Sequence, residues 1–278
     1  MPEFFLKERI YTDSNGFSEL LRFYHDAVAY RNCVYQLRFE GVVWIDGNMS
    51  ALLLSMIYKL RQENNLNFFV PFDDLGKDLG VLRRNGFTSH IANTQNKFGD
   101  NRQSTISLEV FGKMDVDRFV DYIEKDFLLH RGNFNLTYNL RGEYKQHYLE
   151  IFSNVDLHAE TDYPIFTCGQ YFPVQKELKF TLCDIGIGFL PKISAFTGGE
   201  VKTSLEAIKW AIDGHSTKSE ETKGGLTLKK IFFYCVKNNG CLHIVTGDCY
   251  WAYQNGKIEN HQILKPFVGT TIHLVLRY

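Results

Sequence analysis

Residues 178–183, LKFTLC, alternate apolar and polar side chains with the period of two that is typical of a β-strand. The pattern runs directly into Asp184-Ile185-Gly186-Ile187-Gly188. Because glycine has no Cβ, Gly186 and Gly188 let the backbone turn sharply and approach a flat ligand. The Asp184 carboxylate can accept a hydrogen bond from an exocyclic amine, such as the one that adenine carries. Taken alone, the pattern is equally that of a plain turn.

A helix is predicted from about residue 144 to about residue 159, since its apolar side chains share one stripe. Glu150 and Asn154 lie one turn apart on a second face, with His158 one turn further. A carboxylate and a carboxamide in this arrangement offer oxygen ligands to a hard cation such as magnesium. The spacing by itself is common, so it indicates a site only together with other motifs.

A third motif, Gly224-Gly225-Leu226, precedes a helical pattern that contains Ile231 and Cys235. Glycines that open a helix expose backbone N–H groups at its positive end, where phosphate binds. A glycine-started helix without any ligand is the alternative. Two strand patterns follow, at residues 242–245 and 268–276, and Thr270 in the second can reach the Asp184 region.

In this order and spacing, the motifs from about residue 115 to residue 278 resemble those of the GHKL superfamily, the ATP-binding fold of DNA gyrase, heat-shock chaperones, mismatch-repair proteins and histidine kinases. The resemblance implies an α/β sandwich that binds ATP and magnesium. It implies that Asn154 helps to hold magnesium, that Asp184 reads the adenine amine and that Thr270 supports this contact. The segment with Gly186 and Gly188 matches the first glycine box of the family.

The resemblance also assigns roles at the phosphate end of the site. Backbone N–H groups at Gly224, Gly225 and Leu226 would face the phosphates, and Glu150 would activate the attacking water in a hydrolytic member. The second glycine box usually reads GxGLGL, whereas Lys223 and Thr227 stand at its first and third glycine positions here. This departure puts the phosphate end in doubt, and Lys223 is either a compensating cation or a solvated lid residue.

Residues 191–223 would form the lid that folds over nucleotide in this family. The lid contains an amphipathic stretch at residues 204–212 and a polar stretch at residues 213–222, which we expect to be mobile. His215 and Lys218 could contact phosphate when the lid closes. The alternative is that both side chains face solvent.

The first third of the chain alternates short strand and helix patterns, which favours an α/β layer with parallel pairing. Residues 34–91 resemble a small STAS-like domain, the α/β module named for sulfate transporters and anti-sigma-factor antagonists, through Ile45-Asp46 at a strand-to-helix turn and the segment at residues 82–87. In phosphorylation-switched members a serine follows the turn aspartate, but Gly47 stands here and the nearest hydroxyl is Ser50. We therefore expect a docking domain at residues 1–100, with a linker at its end, and the ATP-binding domain at residues 101–278.

Composition and sequence pattern give no support to several classes of protein. The formal net charge is -1, which gives no basic field for a nucleic-acid backbone. Apolar runs fall short of the roughly 20 residues that span a bilayer, and no secretory signal is readable at the N-terminus. The six cysteines lack a CxxC pair, which predicts reduced, partly buried thiols in a cytoplasmic protein.

Three functions remain open. The first is an ATP-driven switch or ATPase whose lid controls contact with a protein partner or a second copy. The second is a protein kinase similar to the anti-sigma-factor serine kinases, and the third is a scaffold with a degenerate nucleotide site. A sensor histidine kinase is disfavoured, because no dimerising helical hairpin with an acceptor histidine precedes the ATP-binding motifs.

Overall fold

The computed structural model describes residues 1–76, 79–94, 98–130, 138–217 and 227–277. It shows a mixed α/β protein, with parallel sheets and helices in the N-terminal part and a five-stranded antiparallel sheet packed against helices in the C-terminal part. Of the helices in these ranges, none has the length and apolar character that a membrane crossing requires.

The N-terminal part contains two parallel sheets. Strands β1 (Glu3–Phe5), β3 (Val34–Arg38) and β5 (Asn67–Phe69) form the larger one, and β2 (Arg9–Ile10) pairs with β4 (Trp44–Ile45). The helices are α1 (Ser14–Ala27), α2 (Ser50–Asn64), α3 (Gly80–Arg84) and α4 (Phe87–Ala92). The predicted alternation of strands and helices with parallel pairing is confirmed.

The C-terminal part is built on strands β6 (Thr105–Phe111), β7 (Ile165–Phe172), β8 (Glu177–Asp184), β9 (Cys241–Gln254) and β10 (Lys257–Arg277), in the sheet order β6-β7-β8-β10-β9. Its helices are α5 (Val116–Tyr122), which continues as a π-helical segment Ile123–Leu128, then α6 (Tyr138–His158), α7 (Phe189–Phe196), α8 (Ser204–Ile212) and α9 (Thr227–Lys237). The amphipathic stretch at residues 204–212 is a helix, as predicted. The two C-terminal strand patterns belong to one long β-hairpin.

Both faces of the five-stranded sheet are covered. Because side chains alternate along a strand, one face carries Phe180 and Leu182, which join α5, α6, α8 and α9 in one apolar core. The opposite face carries Cys183 and Val245, which join α1, α2 and the parallel sheet in a second core. Helix α2 is buried along nearly its whole first half because it lies between the two sheets.

A buried polar cluster lies where the turn after β4 meets the five-stranded sheet. Asp46 is 1% exposed and forms an ion pair with Lys179 at 2.9 Å, while its carboxylate also accepts hydrogen bonds from the backbone and hydroxyl of Thr12. Asn48 donates its amide to Thr181 and to Nδ1 of His273. The turn is therefore fixed to the sheet by directional contacts as well as by apolar packing.

Ser50, the hydroxyl nearest to the turn aspartate, is fully buried and accepts a hydrogen bond from the Asn85 amide at 2.9 Å. It is therefore inaccessible to a modifying enzyme in this structure. All six cysteines are free thiols and five are buried, which confirms the prediction of reduced, partly buried cysteines. The division of the chain at residue 100 stays a prediction.

Candidate functional site

A cavity lies between the helix-covered face of the five-stranded sheet and helices α6, α7 and α8. It holds about 890 Å³ of space, counting its open mouth. The sheet supplies its floor from β8 and β10, and the helices and the chain after α8 supply its walls. The described lining residues are Ile151, Asn154, Val155, Ala159, Leu182, Asp184, Gly188, Phe189, Lys192, Ile193, Trp210, Ala211, His215, Ser216, Thr217, Leu228, Thr270 and Ile272.

Asp184 ends β8 at the floor of this cavity and is only 4% exposed. Its carboxylate accepts a hydrogen bond from the Gly186 backbone N–H at 2.8 Å, and a second from the Thr270 backbone. Burial raises the pKa of this carboxyl to about 7, because desolvation outweighs the two N–H donors. An isolated carboxylate in a mostly apolar cavity is costly unless a ligand compensates it.

Thr270 is directly opposite Asp184 in the antiparallel register of β10 and β8, as the sequence pattern predicted. Its hydroxyl lies 3.3 Å from that of Thr246 on β9, which in turn accepts a hydrogen bond from the Phe189 backbone at the start of α7. These hydroxyls link the cavity floor to the helix that forms one wall.

The two glycines after Asp184 are required for different structural reasons. At Gly186 a Cβ would lie 2.3 Å from the Ala159 carbonyl oxygen, so only glycine lets the end of α6 approach the sheet. Gly188 has a φ of 76° and lines the cavity, and a Cβ there would lie 2.6 Å from the Thr246 hydroxyl. Gly186 therefore seats the helix, whereas Gly188 shapes the cavity itself.

Asn154 and Glu150 both lie on α6, but only Asn154 lines the cavity. The Asn154 side chain is half-buried and accepts or donates no hydrogen bond within the described residues. Glu150 lies one turn earlier and accepts a hydrogen bond from the Gln146 amide at 3.1 Å. The structure therefore brings Asn154 together with Asp184 and Thr270, and leaves Glu150 outside the lining.

The first part of the predicted lid is folded. Helix α8 begins with a capping box, in which the Thr203 side chain accepts from the Glu206 backbone while the Glu206 carboxylate accepts from the Thr203 backbone. Helices α7 and α8 share a small apolar cluster that is separate from the two main cores. Lys192 on α7 lines the cavity and pairs with Glu160 at 3.4 Å.

His215 lines the cavity, and its ring packs on that of Trp210 with the centroids 5.3 Å apart. The predicted phosphate-binding residues Gly224, Gly225 and Leu226, together with Lys218 and Lys223, lie outside the described residues. So does the His158 side chain.

Most of the apolar lining was missed by motif reasoning. Ile151 and Val155 carried a signal, since they belong to the apolar stripe of the α6 pattern, but that stripe was interpreted as core alone. Leu182 and Ile272 are predicted strand residues whose face could not be assigned without the sheet register. The capping box Thr203-Ser204-Leu205-Glu206 was readable in the sequence and would have located the start of α8.

No protein-family model matches the chain, and no curated protein matches it in sequence. Groups of three or more His, Cys, Asp or Glu side chains that could hold a metal ion do not occur within the described ranges.

Proposed function

We propose that the chain binds ATP with magnesium in the cavity between the five-stranded sheet and helices α6 to α8. The observation that carries this proposal is the buried Asp184 carboxylate, which lies opposite Thr270 at the floor of a mostly apolar cavity. An acceptor at the bottom of an apolar slot suits a planar base that presents an amine at its edge.

The contacts of Asp184 fit the adenine half of the ligand. Because Gly186 and Thr270 both donate to the carboxylate, its remaining lone pairs are left to accept from a ligand. A ligand amine would compensate the buried charge that no side-chain cation among the described residues neutralises. Adenine has such an amine and guanine has an oxygen at the same position, so the site should prefer adenine.

The magnesium and phosphate half of the proposal rests on Asn154 and on residues beyond the described ranges. Asn154 has an uncommitted amide at the cavity wall, and its oxygen would hold magnesium directly or through water. Gly224, Gly225 and Leu226 would donate backbone N–H groups to the phosphates, and Lys218 would add a cation. When bound, ATP would supply a γ-phosphoryl group, and Glu150 remains the candidate base for its hydrolysis.

The order of elements supports a GHKL-type domain. A helix with Asn154 precedes the β7-β8 hairpin, two short helices follow Asp184, and α9 leads into the closing β9-β10 hairpin. For the N-terminal part we propose a STAS-like unit, supported by its parallel strands and by the turn at Asp46.

The lid supports an ATP-driven switch. Helices α7 and α8 pack on each other through a small cluster of their own, centred on Ile193, Val201 and Ala207. Helix α7 buries only Ile193, in this cluster, so it can change position at low cost, whereas Ile208 and Ile212 anchor α8 in the main core. Nucleotide that contacts both the cavity floor and the lid would shift the lid toward the closed arrangement and so change the surface offered to a partner.

Calorimetric titration tests the proposal. We expect the wild-type protein to bind ATP more tightly with magnesium than with a chelator present, and Asn154→Ala to lose this difference. The expected loss in magnesium-dependent affinity is on the order of tenfold, as for removal of one metal-positioning group.

Ser153→Ala is the matched control, because Ser153 is exposed on the same helix and does not line the cavity. It should titrate like the wild type. Failure of the wild-type protein to bind ATP under either condition would contradict the proposed function. Retention of the magnesium effect in Asn154→Ala would remove Asn154 from the metal site.

A further inference from the structure

The cavity has one wall that differs in chemistry from the rest. Trp210 lies on α8, is half-buried and belongs to the lining. The wall at α6 is mainly aliphatic. It consists of Ile151 and Val155 on the helix and of Ala159 directly after it, with Asn154 as its polar residue. Trp210 thus has the largest aromatic ring system among the described lining residues, which also include Phe189 and His215.

Trp210 contacts two neighbouring rings, and its backbone forms a hydrogen bond. Its ring meets the ring of Phe196 edge-on at 6.0 Å and packs against His215 at an angle of 30°. The Trp210 backbone carbonyl accepts a hydrogen bond from the His215 backbone N–H at 3.3 Å. Helix α8 is anchored by Ile208 and Ile212 in the main core, so the indole projects from a fixed support.

The position of Asp184 restricts how a base can lie in this cavity. A base that donates its amine to Asp184 has its edge on the floor, because the hydrogen bond lies in the plane of the ring. Its two faces must then contact the walls. An aromatic side chain against one face adds stacking to apolar contact, and such stacking accepts any planar heteroaromatic ring.

We propose that Trp210 is the stacking wall for the base and contributes to nucleoside binding independently of the phosphates. This inference rests on the proposed function, since it assigns a base-binding residue within the same cavity. Asp184 reads the amine edge of the ring, and Trp210 reads its flat face.

The test uses adenosine, which has the base and ribose but no phosphate, alongside ATP. We expect Trp210→Leu to weaken the binding of both ligands by the same factor, about tenfold, which is typical for the loss of one stacked aromatic side chain. Trp210→Phe should keep most of the affinity. Phe196→Leu is the matched control, because Phe196 touches Trp210, is 58% exposed and does not line the cavity.

Fluorescence gives a second measurement that does not need the leucine variant to fold. Adenosine should quench tryptophan emission in the wild type, and the quenching should disappear in Trp210→Phe although Trp44 and Trp251 remain. Equal affinity of Trp210→Leu and wild type, or quenching that survives in Trp210→Phe, would overturn the role of Trp210 and leave the proposed function standing. Absence of adenosine and ATP binding in the wild type would overturn both.

Discussion

The fragment comprising residues 101–278 is expected to lose cooperative folding when it is made without residues 1–100. In the intact protein, one face of its five-stranded sheet is buried against α1 and α2. Removal of the N-terminal part would expose that whole face to water. Such an apolar face is far larger than a stable monomer tolerates, and losing its cover removes much of the apolar burial that stabilises the fold.

The side chains that would be exposed by this deletion are Phe166, Cys168, Cys183, Ile185, Val245, Tyr250 and Ala252. Circular dichroism during heating checks the expectation, with the full chain as reference. The full chain should melt in one transition, and the fragment should show none and should bind a hydrophobic dye. A fragment that melts as cooperatively as the full chain would show that the N-terminal part is an accessory unit.

Co-expression of residues 1–100 as a separate chain is the matching control. If the deletion acts by uncovering the sheet, the added chain should dock on it and restore a cooperative transition. If the fragment is fully folded by itself and the added chain does not change its transition, the result would contradict a core shared by the two parts.

Acid should destabilise the protein because two buried histidines must remain neutral. His243 and His273 are opposite each other on β9 and β10, with ring centroids 5.2 Å apart. Burial lowers the pKa of His243 to about 3, and Lys179 nearby acts in the same direction. Burial also lowers the pKa of His273, as do His243 and Lys179, and a hydrogen bond with the Phe180 backbone opposes them only weakly.

The direction of the pH effect on stability follows from how many protons the folded and the unfolded states bind. An unfolded histidine takes up a proton below a pKa of about 6.5, whereas the folded protein keeps both rings neutral to much lower pH. The stabilising contribution is therefore complete above about pH 6.5 and is lost as the pH falls. Two protons correspond to about 2.7 kcal/mol per pH unit, or on the order of 5 kcal/mol by about pH 4.5.

Asp184 acts in the opposite direction, because its pKa is raised to about 7 in the folded protein and its carboxyl takes up a proton there first. This offsets about half of the loss between pH 6.5 and 4.5, so we expect a net fall in stability on the order of 2 to 3 kcal/mol. Urea titration at a series of pH values measures the slope. The double variant His243→Asn with His273→Asn keeps a polar group at each Nδ1 position, where Tyr250 and Asn48 make their contacts, but cannot take up the protons. Its stability should depend less steeply on pH below 6.5, and an unchanged slope would exclude the histidines as the cause.

Several site residues were predictable because each depends on local chemistry. Asp184 ends one predicted strand, and Thr270 lies in the last predicted strand. In the structure, the antiparallel register of β8 and β10 places the two residues opposite each other. The helical period places Asn154 one turn from Glu150, and the other motifs together with this spacing made it a candidate. The role of Gly186 was not, because the close approach of Ala159 is a tertiary contact between segments far apart in the chain.

The core that the five-stranded sheet forms with α1 and α2 could not be predicted from the sequence pattern either. Tyr250 and Trp251 are adjacent in β9 and both are buried, so this strand is covered on both faces. An apolar run of this kind is compatible with several kinds of burial, and nothing in it names the covering element. The Asp46–Lys179 ion pair joins residues 133 positions apart and is equally hidden from a reading of local motifs.

The affinity for adenosine as a function of pH tests the central claim, that Asp184 accepts the amine of an adenine base. The carboxyl of the free protein has a pKa raised to about 7, and a ligand amine favours the ionised form. Binding should therefore be tightest above pH 7 and about tenfold weaker at pH 6. Adenosine carries no phosphate that would titrate in this range. His215 also lines the cavity, so the Asp184 variant is needed to assign the pH effect to the carboxyl.

Asp184→Asn provides the comparison. The amide oxygen must stay on the Gly186 N–H that the carboxylate now accepts at 2.8 Å, so the amide NH₂ would face the cavity and repel the ligand amine. We predict that the variant binds adenosine roughly 10- to 100-fold more weakly above pH 7, with little dependence on pH. Adenosine affinity that is the same in the variant and the wild type, and independent of pH in both, would contradict the account.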